Sequence, residues 1–407
     1  MSFAARRGEW PQKILAVLPF LLFFPVGIIY LGVVAFLLAL ILAGDYLGRW
    51  QTMRANPMFW PVVTLLLATI LAAVFLARPE RGFWNGFAHY QIYLFLLLFV
   101  SVGKGDWQGK AIKAFIAGAI CAATLFYLNV LQLLPVIDLF KAYLSYYGNK
   151  SILLGILLAL AAGWLLHDMM LATDRKTFSW RLGAFIYITL PILFLTRTRT
   201  AIVIFVVSCL VVGLRYLKLN WRSAIGLLGL LAIGAVVLGS SSNIAARMAS
   251  VLDDVAAYSK GQKPSDQGVR LEIYALTAEI IAEKPLTGHG IATWEPRYAE
   301  LAKARSVNVY ATPHNDYLLY AAEMGVIGLA ALLWIWLAQL AVAWRMGGGD
   351  GMRLLILGLG IMVGGMFNAI LRDAVFGMPF MILLAIPLAG ARRKKTNRWL
   401  TETGKMP

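Results

Sequence analysis

Four polar segments stand out in an otherwise apolar chain. Thr196-Arg197-Thr198-Arg199-Thr200 puts two guanidinium groups in one tight turn, with no acidic neighbour in sequence. Guanidinium forks match phosphate oxygens bidentately, so the pair reads as an anion site or as two side chains snorkelling to lipid headgroups. Arg270 opens a second segment, in what reads as the first turn of a helix. The free N–H groups of that turn and the guanidinium would attract the same anion; the alternative is a pair with Asp266 or Glu272. In the third, Pro313-His314-Asn315-Asp316, Asn315 or Asp316 suits a helix N-cap. His314 can act as a general base on a hydroxyl, donate to phosphate, or be a satisfied polar group. Glu323, the fourth, follows Asp316 by about two helical turns, roughly 10 Å along the axis. An ionisable group at that depth of an apolar helix is a functional candidate.

These residues need a scaffold, and composition identifies it. The 407 residues are 60% hydrophobic and only 14% charged, with a mean hydropathy of +0.74. A soluble chain carries about 25% charged residues. The apolar excess falls in blocks of roughly 17–25 residues, the length that crosses a bilayer. The fold class is therefore an all-α polytopic membrane protein of about twelve spans. They are placed near 14–29, 30–47, 58–77, 88–102, 112–134, 151–171, 182–195, 200–217, 223–239, 316–344, 354–370 and 374–390. The first two are divided only by Pro25-Val26-Gly27 and could form one re-entrant unit. The basic N-terminus precedes an apolar run without a small-residue cleavage site, which predicts an uncleaved anchor. Four regions follow: spans one to nine over 1–239, a large loop over 240–315, spans ten to twelve over 316–390, and a basic tail over 391–407. Within the loop, 268–284 reads as an amphipathic helix with Leu271, Tyr274, Ala275, Ala278 and Ile281 on one face. Pro285 stops it and Gly288-His289-Gly290 turns the chain.

Lys and Arg concentrate in the short connections near 49–54, 104–113, 175–181, 215–222 and 345–353 and in the tail. The positive-inside rule then puts both termini in the cytoplasm and the large loop, with the 196–200 turn, outside. The net charge of +17 needs no nucleic-acid partner, because a basic rim against anionic membrane lipid accounts for it. The run Arg392-Arg393-Lys394-Lys395 reads as a topology anchor. Cys121 and Cys209 lie inside predicted spans, and no CxxC, HExxH or GxxxxGK[ST] pattern occurs. Neither a zinc site nor a nucleotide site is indicated. His89, His167 and His289 are turn or span-edge residues without an organised neighbourhood.

Three segments together resemble the O-antigen ligase family, part of the ligase and polymerase superfamily of bacterial envelope glycan assembly. Thr198-Arg199-Thr200-Ala201 is similar to its Ser-Arg-Gly/Thr-Ala pattern at the start of a span. Arg270 with Tyr274, then Pro285, Gly288 and Gly290, is similar to Arg-x3-Trp…Pro-x2-Gly-x-Gly, with Tyr274 in place of tryptophan. His314-Asn315 with Leu318, then Glu323, Gly325 and Gly328, is similar to His-Asn-x-x-Leu…Glu-x-Gly-x-x-Gly. The likeness covers the second half of the chain. It implies a GT-C-type glycosyltransferase of the bacterial inner membrane, inverting and metal-independent, with no cofactor and a site facing the periplasm. The donor would be an undecaprenyl-pyrophosphate-linked glycan and the acceptor a sugar hydroxyl of lipid A–core. Arg199 and Arg270 would hold the pyrophosphate, with Arg197 as an extra candidate. His314 would be the catalytic group, with Asn315, Asp316 and Glu323 in support. The rivals are an O-antigen polymerase and a protein O-oligosaccharyltransferase, both using the same donor. Polymerases tend to carry two sizeable outer loops, where this chain is predicted to have one. A lipid-linked glycan flippase would need an internal repeat that the sequence does not clearly show.

Overall fold

A computed structural model of the protein describes residues 3–144, 148–196, 198–216, 266–372 and 374–392. Arg197, the expected span 223–239, the early part of the large loop and the tail beyond 392 lie outside the described residues. Numbered along the described chain, the helices of the first half are α1 (Phe3–Leu21), α2 (Val26–Ala43), α3 (Tyr46–Ala55), α4 (Phe59–Phe75), α5 (Phe83–Tyr90), α6 (Ile92–Val100), α7 (Trp107–Val130) and α8 (Lys141–Leu144). There follow α9 (Asn149–Met170), α10 (Arg175–Leu190), α11 (Arg199–Tyr216), α12 (Asp266–Glu283), α13 (Trp294–Ala304), α14 (Asp316–Met346), α15 (Gly348–Phe367) and α16 (Ala374–Leu388).

Among the described residues, eight helical stretches are long and apolar enough to cross a membrane, and nine if the α3–α4 pair, bent by 95°, is one span. The expected count of about twelve is not reached among the described residues, for physical reasons. Helix α1 begins at residue 3 rather than 14 and includes Arg6, Arg7, Glu9 and Lys13. Helix α16 is apolar but its 15 residues rise only about 22 Å. Helices α1 and α2 are separate rods packed on each other across the Pro25 break.

Helix α9 is the axis of the bundle, with 83% of its most apolar stretch buried. Its small residues let other helices come close. A β-carbon at Gly155 would sit 3.0 Å from that of Ala201, and one at Gly163 would sit 2.8 Å from that of Ser208. Both neighbours belong to α11, so α9 fixes where α11, and therefore Arg199, begins.

The described part of the large loop does not stand apart from the helices. Ile273, Leu276 and Ile280 of α12 and Trp294, Tyr298 and Ala302 of α13 share a core with Leu319 and Ala322 of α14. The buried face of α12 thus differs from the one expected: Ala278 is exposed, and Leu271, Tyr274, Ala275 and Ile281 are only half-buried. Apolar residues occur at helical spacing on two neighbouring faces of this segment. Thr277 tips the choice: it is buried and accepts a hydrogen bond from Trp294 Nε1 at 3.1 Å.

Helix α14 is broken at Gly325, whose φ of 62° and ψ of −157° suit glycine alone. In an unbroken helix Val326 N–H would donate to Ala322 O. Here it donates to Pro285 O at 2.9 Å, while Ala322 O accepts His289 N–H at 3.1 Å and Glu323 O accepts Gly290 N–H at 2.9 Å. The turn after α12 therefore supplies the hydrogen bonds that the break removes. Contact is backbone to backbone: a β-carbon on Gly325 would lie 2.3 Å from Leu286 O, and one on Gly288 would lie 2.5 Å from Glu323 C. Gly325→Ala is expected to cost about 1–3 kcal/mol in backbone strain alone. Undocking of the turn should then appear as a lower thermal-unfolding midpoint and faster proteolysis within residues 284–293. An unchanged midpoint with unchanged cleavage would refute this interlock.

Candidate active site

Arg270 and Tyr274 are one helical turn apart on α12, beside its buried face rather than on it. Helix α12 starts four residues before Arg270, so the arginine lies beyond the first turn where it was expected. Tyr274 Oη donates to Met366 O at 3.1 Å and reaches His314 O at 3.5 Å. Met366 O is one of the carbonyls that the end of α15 leaves without a helical partner. Asn315 uses the same carbonyl through Nδ2 at 3.0 Å, while its Oδ1 caps α14 by accepting Leu318 N–H at 3.0 Å. Asn315, not Asp316, is the N-cap. Two residues beyond Met366, Asn368 Nδ2 donates to Thr200 Oγ1 at 3.2 Å. Thr200 follows Arg199, the exposed first residue of α11. Loop helix, His314 segment, α15 end and α11 start thus meet at one corner of the bundle.

His314 is half-buried, with a left-handed backbone at φ 49°, uncommon for any residue but glycine. Its N–H donates to Thr312 Oγ1 at 3.3 Å, and the Tyr310 ring lies edge-on at 6.5 Å between centroids. Burial, then the charge of Arg270, pushes the imidazole pKa down, which favours the neutral form that can accept a proton. Burial raises the Tyr274 pKa against the opposing effect of Arg270, so the phenol keeps the proton it donates.

The other described arginines of the loop and of the adjoining 368–372 turn are paired. Arg297 meets Glu283 at 3.1 Å, Arg305 meets Glu279 at 2.6 Å and Arg372 meets Glu295 at 3.6 Å. Arg270 has no carboxylate partner among the described side chains, and Glu272 does not pair with it. A half-buried cation beside a histidine, with no counter-ion among the described side chains, is a place for an anion to bind.

The two acidic candidates are engaged by the protein itself. Asp316 is fully buried and accepts Leu371 N–H at 3.2 and 3.3 Å, which pins the turn that carries Asn368 and Arg372. Glu323 is buried, accepting Tyr90 Oη at 2.6 Å and Trp294 N–H at 3.4 Å. It ties α5, α13 and α14 together just above the break. Sequence reasoning missed Tyr90, Asn368 and Arg372. Arg372 also donates to Ala311 O just before His314; in sequence it is followed by Asp373, so it does not stand out as Arg197 and Arg199 do.

Residues 183–333 match the family model described as O-antigen ligase. Over this segment the chain is similar to the O-antigen ligase family. The matched segment contains all three motif segments, those around Arg199, Arg270 to Gly290, and His314 to Gly328. Tyr90, Met366, Asn368 and Leu371, which hold that O-antigen ligase segment in place, lie outside it. No curated protein matches the chain.

Proposed function

We propose that the protein is an O-antigen ligase. It moves glycan from an undecaprenyl-pyrophosphate carrier to a sugar hydroxyl of lipid A–core, on the periplasmic face of the bacterial inner membrane. The observation that carries this reading is the Arg270 guanidinium, which has no carboxylate partner among the described side chains, beside the neutral-leaning imidazole of His314. His314 takes the proton of the acceptor hydroxyl as its oxygen attacks the anomeric carbon. The bond from that carbon to the phosphate oxygen breaks, and the pyrophosphate leaves with the electron pair. One displacement on one face inverts the anomeric configuration.

Negative charge grows on the pyrophosphate as it leaves. Arg270, Arg199 and, as an additional contact, Arg197 receive it. Fixed cations stabilise such charge without first reorganising. Tyr274, tied to the His314 and Met366 carbonyls, keeps α12 and the histidine segment in register. In this reading Asp316 and Glu323 position the site and do not touch substrate.

Because the arginines supply the positive charge, transfer should proceed without a divalent cation. Protein purified and assayed in EDTA with lipid-linked glycan and lipid A–core is expected to keep its rate. Loss of transfer in EDTA with recovery on adding Mg²⁺ would overturn the metal-independent mechanism.

A further inference from the structure

Helix α15 joins two ends of the bundle. Its last turn serves the site just described, and its second carries Arg353, about 20 Å away by helical rise. At that far end a pocket of about 410 Å³ lies between α7, α9, α10 and α15. Lys113, Arg181 and Arg353 line it together with the single carboxylate Asp168. Arg353 is only 13% exposed and uses that carboxylate, with Nη2 at 2.5 Å from Oδ1. Its Nε is buried without a hydrogen-bond partner among the described residues. Arg181 donates to the backbone carbonyl of Asp168, which fixes its position without cancelling its charge. Lys113 pairs with no carboxylate among the described residues. The lining therefore keeps two uncompensated cations from two helices.

The wall below these cations is apolar. Ile112, Ile116 and Ile120 follow one another along α7 at four-residue spacing, so they form one stripe running from the charged mouth toward the middle of the helix. Trp180 stands at the rim with 57% of its surface exposed, as indoles do at the level of lipid headgroups. A small phosphate ion would use the cations and leave the isoleucine stripe unused. A zwitterionic lipid would bring a cation of its own next to Lys113 and Arg181. Only an anionic amphiphile fits both parts, and basic pockets between spans are a known form of such a site.

We propose that this pocket binds an anionic phospholipid, with its phosphodiester between Lys113 and Arg181 and one acyl chain along Ile112, Ile116 and Ile120. It is a lipid site separate from the Arg270–His314 corner and independent of the reaction carried out there. Native mass spectrometry of the full chain, purified in detergent and mixed with defined lipids, tests it. Phosphatidylglycerol should be retained at least about tenfold more than phosphatidylcholine with the same acyl chains. Soluble glycerophosphoglycerol at equal concentration should not be retained. Lys113→Gln with Arg181→Gln should erase the preference at an unchanged unfolding midpoint. If that pair lowers the midpoint, Lys113→Glu, at an exposed side chain, should erase it alone. Equal retention of both lipids, binding of the free headgroup as well as the lipid, or a preference that survives the folded variants would overturn the proposal.

Discussion

His314→Ala is expected to lower glycan transfer by about 10²–10⁴-fold, the usual contribution of a positioned general base, while the fold persists. Among the described residues, the hydrogen bonds at position 314 run through its backbone N–H and carbonyl, which alanine retains. The side chain adds the edge-on contact with Tyr310, so little packing is lost. The left-handed backbone introduces a complication, since alanine tolerates φ 49° less well than histidine does. His314→Asn removes it, because asparagine visits that region readily. Both variants should show the same loss of transfer, and the asparagine variant should melt at the wild-type temperature. Wild-type rates in either would remove the catalytic assignment.

Arg270→Gln is expected to cost about 10²–10³-fold in transfer, by analogy with loss of one oxyanion contact. It should also move the pH profile in a defined direction. Burial and the Arg270 charge hold the His314 pKa below its usual value. Neutral imidazole is the active form, so activity should persist to a pH below the ordinary histidine range and fall as the group protonates. Removing the Arg270 cation lets the pKa rise, and the acid limb of kcat/KM should shift to higher pH. Arg270→Lys keeps the charge but loses the fork. It should therefore preserve the position of the limb while still weakening donor use. A limb that stays fixed in Arg270→Gln, or shifts to lower pH, would contradict the pairing of these two side chains.

Much of this architecture was legible because a bilayer imposes a length on every span and a charge bias on every short connection. The motif residues were legible as isolated cations and a histidine in an apolar chain. What could not be read was how they are held. The amphipathic assignment for α12 chose Leu271, Tyr274 and Ala278 where Ile273, Leu276 and Ile280 are buried. Spacing alone does not separate two neighbouring apolar faces, and the deciding contact, Trp294 to Thr277, is made with another helix. The break at Gly325 was invisible for a related reason: apolar residues continue across it, and the bonds that make it tolerable come from Pro285, His289 and Gly290. Glu323 was a functional candidate because an ionisable group inside a span is costly. Its partners Tyr90 and Trp294 are distant in sequence, and they give it a structural reason to be there. The glycine-rich segments were read as turn signals and family marks. In the folded protein they are the two halves of one backbone contact that seats the loop over the site.

The central claim is that lipid-linked glycan is transferred to lipid A–core at the corner formed by Arg199, Arg270 and His314. It is tested most directly by the product distribution of one reconstituted reaction. Purified protein receives undecaprenyl-pyrophosphate-linked glycan as donor, with lipid A–core, a second portion of lipid-linked glycan and a peptide offered together as acceptors. Glycan is expected on lipid A–core, in a reaction lost with His314→Asn. Elongation of the lipid-linked glycan, or glycan on the peptide, would contradict it.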